Sequence, residues 1–432
     1  KRQVRTGQSS MKKGVSRMAQ YVVIGNGVAA AGCIEGIRKE DTTGKIIVIS
    51  EEKHPVYCRP LISYCMEGKT TPEKMAYRSP DFYEKMGCEV YYDKKAVKIE
   101  LSTKMITLND NTLISYDKLC LATGSSPFVP PFTGLESVEN KHSFMTMDDM
   151  LELEASINEN SNVLIVGAGL IGLKCAEGLK ERVASVTVCD LANRVLSSIL
   201  DTECATMMQK HLEKNGIEFL LGDSVVSFEK NQAVMKSGKT VAFDVLVLAV
   251  GVRANTSLIK EIGGEVNRGI LVNNKMETSI PDVYAAGDCT EGEDISFHGK
   301  RVLAILPNAY MQGNCAGINM AGGSSVFDKA IPMNSIGFFG LHAMTAGSYY
   351  TAEQGGELYE IKTENTLKRL FTKDGYLTGF ILIGATDRAG IYTSLIRERI
   401  PLNSIDFDRL KKTATSTAFS VEKRKQFFGG VV

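Results

Sequence analysis

Apolar residues in this chain fall in short unbroken runs, and most runs end at a glycine turn or an acid. Tyr21-Val22-Val23-Ile24 leads into Gly25-Asn26-Gly27-Val28-Ala29-Ala30, and a stretch through Ile34, Ile37 and Arg38 follows. A second run, Ile46-Ile47-Val48-Ile49, ends at Ser50-Glu51. Four-residue apolar runs rich in β-branched side chains predict buried strands, so the order is strand, glycine turn, helix, strand, acid. The pattern returns at Val163-Leu164-Ile165-Val166, which opens into Gly167-Ala168-Gly169-Leu170-Ile171-Gly172. A helix through Ala176 and Leu179 follows, and the strand Ser185-Val186-Thr187-Val188 ends at Cys189-Asp190. Three further buried strands are predicted, at Lys118 to Leu121 before Ala122-Thr123-Gly124, at Val245 to Val250 before Gly251, and at Val283 to Ala286 before Gly287-Asp288. Pro127, Pro130 and Pro131 mark a crossover between domains. From about Ile331 the pattern changes to short strands and glycine turns, with one helix near Tyr392–Arg399, which predicts a small α+β domain. A mixed basic and apolar tail follows from about Ser404.

The two glycine motifs carry chemistry. Gly25 permits the tight turn out of the strand, Gly27 lets backbone approach a pyrophosphate, and Ala30 is small enough for close helix packing. The pyrophosphate then rests on the free amides of the helix N-terminus. Glu51 stands at the end of the second strand, where a carboxylate can hydrogen-bond an adenosine ribose. The second motif has all three glycines, Gly167, Gly169 and Gly172, and its terminal acid is Asp190. A carboxylate there accepts bonds from a free ribose 2′-hydroxyl and repels a 2′-phosphate, which favours NADH over NADPH. Arg194, close by in sequence, would weaken that preference if it faced the ribose.

Composition narrows the class. A chain of 432 residues, 44% of them hydrophobic, is large enough for two or three domains. Fifty basic residues balance fifty acidic ones, which argues against nucleic acid or a membrane surface as partner. No apolar run is long enough to span a bilayer. Residues 1–20 are basic and polar without the apolar stretch a secretory signal needs, and are expected to form a disordered leader. Ten cysteines are scattered with no CxxC, which predicts cytoplasmic free thiols and no internal iron–sulfur cluster. The five histidines are dispersed too, so no metal site is expected.

Two such nucleotide units, together with Ala122-Thr123-Gly124 and Tyr284-Ala285-Ala286-Gly287-Asp288, resemble the pyridine-nucleotide disulfide oxidoreductase superfamily of flavoproteins. The resemblance implies an α/β fold of two Rossmann-like domains, an FAD domain with an inserted NAD domain, plus a small α+β C-terminal domain. It divides the chain into 21–139 and 258–328 for FAD, 140–257 for NAD(H), 329–405 for the C-terminal domain and 406–432 for the tail. It further implies that Asp288 bonds the FAD ribityl chain and that Pro307-Asn308-Ala309, before Gln312-Gly313, faces the flavin pyrimidine ring. On the same basis Ala122, Thr123, Gly124 and Gly287 belong to the FAD site, and Leu170, Ile171 and Gly251 to the NAD site. The segment His54 to Ser63 is similar to that of NADH:rubredoxin oxidoreductases and of the flavin part of NADH-dependent nitrite reductases, and residues 334–347 and 379–397 resemble their C-terminal domain. In those relatives the segment matching Arg59-Pro60 lies against the flavin, so Arg59 would stabilise negative charge on reduced flavin.

Two departures shape the functional expectation. The paired cysteines of the disulfide reductases are missing; Cys58 and Cys65 are spaced C-x6-C and are read as packing thiols. Lys174 stands where many relatives carry a glutamate close to the nicotinamide, a reversal of charge that would tune the flavin. The resemblance therefore implies hydride exchange between NAD(H) and FAD and single-electron exchange with an external iron–sulfur carrier, a rubredoxin, a ferredoxin or a related subunit. Lys411, Lys412, Lys423, Arg424 and Lys425 are a candidate docking surface for an acidic carrier. The alternatives are an NADH oxidase, peroxidase or disulfide reductase using Cys58 or Cys65, and a flavin-bearing subunit of a larger complex. The assembly is expected to be a homodimer or a hetero-oligomer.

Overall fold

The computed structural model describes residues 18–297 and 299–427. Most of the expected leader therefore lies outside the described residues, and Gln20 already opens the first strand.

Strand β1 (Gln20–Ile24), helix α1 (Val28–Glu40) and strand β2 (Lys45–Ile49) form the first predicted unit. Strands β3 (Cys88–Tyr91) and β4 (Lys118–Leu121) flank them. The short β5 (Ser125–Pro127) then leaves the sheet. The chain enters a second sheet through β6 (Lys141–His142), helix α2 (Met147–Ser156), β7 (Asn162–Val166), helix α3 (Leu170–Leu179), β8 (Ser185–Asp190), helix α4 (Thr202–Lys214), β9 (Glu218–Leu221) and β10 (Val245–Leu248). Its strand order is β9-β8-β7-β10-β6, all parallel. The return strand β11 (Val252–Ala254) pairs antiparallel with β5, so the two crossings between sheets lie side by side. Strand β12 (Val283–Ala285) then completes the first sheet in the order β12-β4-β1-β2-β3, also all parallel. Each sheet is covered by helices on one face and by a three-stranded antiparallel sheet on the other, formed by residues 96–115 on the first and 225–242 on the second, which explains why their strands read as unbroken apolar runs.

Helix α5 (Leu306–Met320) packs on α1 at a distance only glycine allows. A Cβ added at Gly32 or Gly36 would lie 2.4 or 2.3 Å from a carbonyl oxygen of α5, and one at Gly313 or Gly317 would lie 2.0 Å from a carbonyl oxygen of α1. This contact fixes the start of α5, with Asn308 and Ala309, beside Gly287 at the end of β12.

The C-terminal domain is an antiparallel sheet of β13 (Met333–Phe338), β14 (Leu341–Gly347), β15 (Gly356–Lys362), β16 (Leu367–Lys373) and β17 (Tyr376–Ile383), ordered β13-β14-β17-β16-β15. The helix expected at Tyr392–Arg399 is α6 (Gly390–Arg397); Arg399, at φ +46°, has already left the helical conformation. The segment expected as a tail is folded onto this domain. Asp406 caps α7 (Phe407–Lys412), Tyr392 Oη donates to the Leu410 carbonyl at 2.7 Å, and Leu410, Ala414, Ala418 and Phe419 are buried in the same core. Lys411 pairs with Asp408 at 2.8 Å and Lys423 Nζ bonds Ser404 Oγ at 2.6 Å, so both have local partners. One core joins the C-terminal domain to the second nucleotide unit: Phe338, Phe371 and Ile381 pack with Leu173, Ala176 and Leu212.

Candidate functional site

The first glycine turn is built without spare room on one side and with open space on the other. Gly25 has φ +111°, donates its N–H to the Ile49 carbonyl at 2.8 Å, and would place a Cβ 2.0 Å from the Ala122 carbonyl oxygen. Gly27 is the N-cap of the thirteen-residue α1, and a Cβ there would meet nothing within 4 Å. Free amides facing an empty space at a helix N-terminus suit a pyrophosphate. Ala30 is fully buried against the sheet. Glu51 is exposed and pairs with Lys95 Nζ at 2.8 Å.

The second turn repeats this geometry. Gly167 has φ +120° with a Cβ position 2.2 Å from the Ala249 carbonyl oxygen, Gly169 faces open space, and a Cβ added at Gly172 would lie 2.0 Å from the Gly167 carbonyl oxygen. Leu170 and Ile171 open α3 and pack on the shared core. Gly251, at φ +114°, follows β10 and also faces open space. Asp190 ends β8; its two carboxylate oxygens accept backbone N–H bonds from Ala168 at 2.6 Å and Ala192 at 2.7 Å. The carboxylate is thus held against the glycine turn with lone pairs left for ribose hydroxyls. Arg194 does not turn toward it: its guanidinium bonds the carbonyls of Leu200 at 3.4 Å and Ser197 at 3.3 Å. Replacing Asp190 by Ser is expected to weaken NADH by about 10- to 100-fold, the worth of a charged hydrogen bond of ~1.5–3 kcal/mol, and to improve NADPH. The ratio of kcat/KM for the two nucleotides measures this; an unchanged ratio would remove Asp190 from ribose recognition.

Between the turns lies a charged cluster. Asp288 follows Gly287, which is at φ +85°. Burial pushes the Asp288 carboxyl up, and the positive charge of Arg59 partly offsets this. Asp288 is half-buried and its carboxyl makes no hydrogen bond among the described residues, which leaves its oxygens free to accept one. Gln312 Oε1 accepts from Gly287 N–H at 2.8 Å and from Thr290 Oγ1 at 3.2 Å, which fixes the first turns of α5 to the end of β12. Asn308 is buried and donates to the Ile331 carbonyl at 3.3 Å; Ala309 is buried beside it. Ala122 is buried, Thr123 exchanges two 2.8 Å bonds with Asn255, and Gly124, at φ +63°, accepts from the Asn255 N–H at 3.0 Å. Arg59 and Pro60 form a single 3-10 turn. Arg59 pairs with Glu52, donates to the Met145 carbonyl at 3.3 Å and lies 5.4 Å over the Tyr57 ring.

Lys174 lies on α3, two residues after Gly172. Its Nζ pairs with Glu177, donates to the Gly337 carbonyl at 3.2 Å, and lies over the rings of Tyr64 at 4.7 Å and Phe338 at 5.4 Å. It ties α3 to the C-terminal domain. Glu52, Asn255 and Glu177 carry no weight in the motifs; their roles emerge only from the partners that the fold gives them. All ten cysteines are free thiols, and burial pushes the thiols of Cys58 and Cys65 up. Among the described residues no three His, Cys, Asp or Glu side chains converge on a metal-sized site, and no helix is long and apolar enough to cross a membrane.

Residues 19–313 match the pyridine nucleotide-disulphide oxidoreductase family. The chain belongs to this family. Among curated members, it is 34% identical over 397 residues to the NADH-dependent phenylglyoxylate dehydrogenase subunit epsilon of Aromatoleum evansii, covering 89% of this chain and 93% of that one. It is 32% identical over 392 residues to an NADH oxidase of Methanocaldococcus jannaschii, covering 84% and 87%. It spans about half the length of two Bacillus subtilis relatives. The solved structure of a covalent putidaredoxin reductase–putidaredoxin complex superposes with a TM-score of 0.84 at 20% identity, over 93% of this chain and 99% of that one, a likeness of fold.

As a member of this pyridine nucleotide-disulphide oxidoreductase family, the protein is an NADH-dependent flavoprotein oxidoreductase with FAD and NAD(H) as cofactors. The two open helix N-termini and the unpartnered Asp288 carboxyl fit two dinucleotides. FAD, when bound, supplies a centre that takes a hydride from NADH and gives up electrons one at a time.

Proposed function

We propose that this protein couples NAD(H) to an external one-electron iron–sulfur carrier, a rubredoxin, a ferredoxin or a related subunit. Residues 21–139 and 258–328 hold FAD on this reading, and 140–257 hold NAD(H). The backbone amides at Gly27 and Gly169 take the pyrophosphates, Asp190 takes a ribose, Asp288 takes the ribityl chain, and Arg59 and Pro60 lie against the flavin. The state of the thiols carries the proposal. Ten free cysteines without a disulfide, with Cys58 and Cys65 held toward the protonated form by burial, supply no internal dithiol relay. One NADH then gives NAD+, one proton and two electrons, and the electrons leave to two one-electron acceptors. That the Aromatoleum relative is a subunit of an NADH-dependent dehydrogenase supports an acceptor on a partner protein.

A second reading is favoured by the name of the Methanocaldococcus relative: direct oxidation of NADH by oxygen. Anaerobic stopped-flow separates the two. NADH is expected to bleach the flavin absorbance rapidly, and oxidised rubredoxin or ferredoxin in a second mix is expected to restore it, with the Cys58→Ser, Cys65→Ser double variant unchanged. Restoration by oxygen alone would support the oxidase. Restoration by peroxide or a disulfide, lost in the double variant, would return the chemistry to the thiols.

A further inference from the structure

The two glutamates that follow β2 have opposite surroundings. Glu51 is exposed and meets only a surface lysine, whereas the side chain of Glu52 is 23% exposed and reaches inward. Glu52 Oε2 accepts from Tyr57 Oη at 2.6 Å, and Oε1 pairs with Nη2 of Arg59. Tyr57 is buried, and its hydroxyl oxygen accepts the Met147 N–H at 3.0 Å, so its single proton is directed to Glu52. The loop is pinned further by His54 Nε2 to Asp148 at 2.9 Å. Arg59 is therefore gripped by Glu52 on one nitrogen and by the Met145 carbonyl on the other, while the half-buried carboxyl of Asp288 feels its charge from another side.

We propose that Glu52 is a positioning residue that acts through Arg59: it holds the guanidinium in place and, as its counter-ion, sets how much positive charge the reduced flavin meets. This rests on the reading that Arg59 lies against the flavin. A carboxylate bonded directly to a guanidinium cancels much of its field beyond the pair, and removing the carboxylate's charge restores it. Nothing in the dinucleotide motifs requires a carboxylate at this position.

The test is the midpoint potential of FAD bound to the full chain, titrated by visible absorbance against a reference dye. Glu52→Gln keeps the shape and removes the charge. It is expected to shift the reduction equilibrium about tenfold toward reduced flavin, about 30 mV for a two-electron couple. Arg59→Met is expected to shift it the opposite way, and Glu52→Gln made in the Arg59→Met background is expected to move it by less than about threefold. No shift in Arg59→Met would overturn the placement of Arg59 at the flavin. A shift in Arg59→Met with none, or a fall, in Glu52→Gln would overturn the role of Glu52 alone. Equal shifts from Glu52→Gln in both backgrounds would show that Glu52 does not act through Arg59, which also overturns it. If Glu52→Gln fails to retain FAD, Glu52→Asp carries the test: it withdraws the charge by one methylene, and a rise of about threefold supports the proposal while an unchanged potential defeats it.

Discussion

Gly25→Ala is expected to give a protein that folds poorly and holds no FAD, whereas Gly27→Ala is expected to fold normally and lose FAD affinity. The two positions lie two residues apart, and their surroundings make the difference. At Gly25 the added methyl would lie 2.0 Å from the Ala122 carbonyl oxygen and 2.6 Å from its carbon. That carbonyl belongs to backbone leaving β4, and Ala122 N–H is itself bonded to the Ile24 carbonyl at 2.7 Å. No rotamer relieves the clash, so two central strands of the first sheet must part. The φ of +111° adds ~1–3 kcal/mol of strain for any residue with a Cβ, and overpacking adds ~1–3 kcal/mol. Against a stability of ~5–15 kcal/mol, that is a large fraction. At Gly27 the methyl meets no protein atom and enters the space where the pyrophosphate would sit. Loss of one or more amide bonds to a phosphate, ~1.5–3 kcal/mol each, weakens FAD by about 10- to 100-fold. Thermal melting of the apoproteins and FAD binding by fluorescence quenching check both. A Gly25→Ala protein that melts like wild type would contradict the tight-turn argument; a Gly27→Ala protein with unchanged FAD affinity would move the pyrophosphate elsewhere.

These turns were legible in the sequence because each combines residues that few other arrangements need. Apolar runs such as Ile46 to Ile49 announce strands covered on both faces, and glycines placed directly after them announce a backbone that turns where side chains cannot follow. Asp190 was legible for the same reason, since the end of the second strand is set by counting from the turn. What was not legible depends on partners far away in the chain. Glu51 and Glu52 are adjacent and chemically identical, and only the positions of Lys95, Tyr57 and Arg59 divide them into a surface acid and a buried-facing counter-ion. The segment after Ser404 looked like a mixed basic and apolar tail because its apolar residues are sparse, yet Leu410, Ala414, Ala418 and Phe419 are buried in one core with Tyr392 and Leu395. The helix contact at Gly32, Gly36, Gly313 and Gly317 was hidden because it joins residues almost 300 positions apart.

Lys174→Met is expected to destabilise the folded protein by about 3–5 kcal/mol, the cost of leaving a buried charge without its partner. The partner is Glu177, one turn along α3, whose side chain is only 4% exposed. Glu177 Oε1 also accepts the N–H of Phe339 at 2.6 Å, and Phe339 sits at φ +44° in the turn between β13 and β14. The carboxylate therefore cannot swing out to water without abandoning a backbone donor. Lys174→Glu is expected to be worse, because it faces one buried carboxylate with another. The double variant Lys174→Met, Glu177→Gln is expected to recover most of the loss: it removes both charges and keeps an oxygen for Phe339. Denaturant melts of the four proteins measure this. The same set separates the two roles open to Lys174. If it acts at the nicotinamide, Lys174→Met slows flavin reduction by NADH at unchanged stability, and the double variant does not restore the rate. If it joins α3 to the C-terminal domain, stability falls with the single change and returns with the second, and the rate of flavin reduction in the folded fraction moves little. The bond to the Gly337 carbonyl and the ammonium's place over the Phe338 ring favour the second outcome, because both engage it from the C-terminal domain, while Glu177 and the Tyr64 ring hold it from α3 and the first unit.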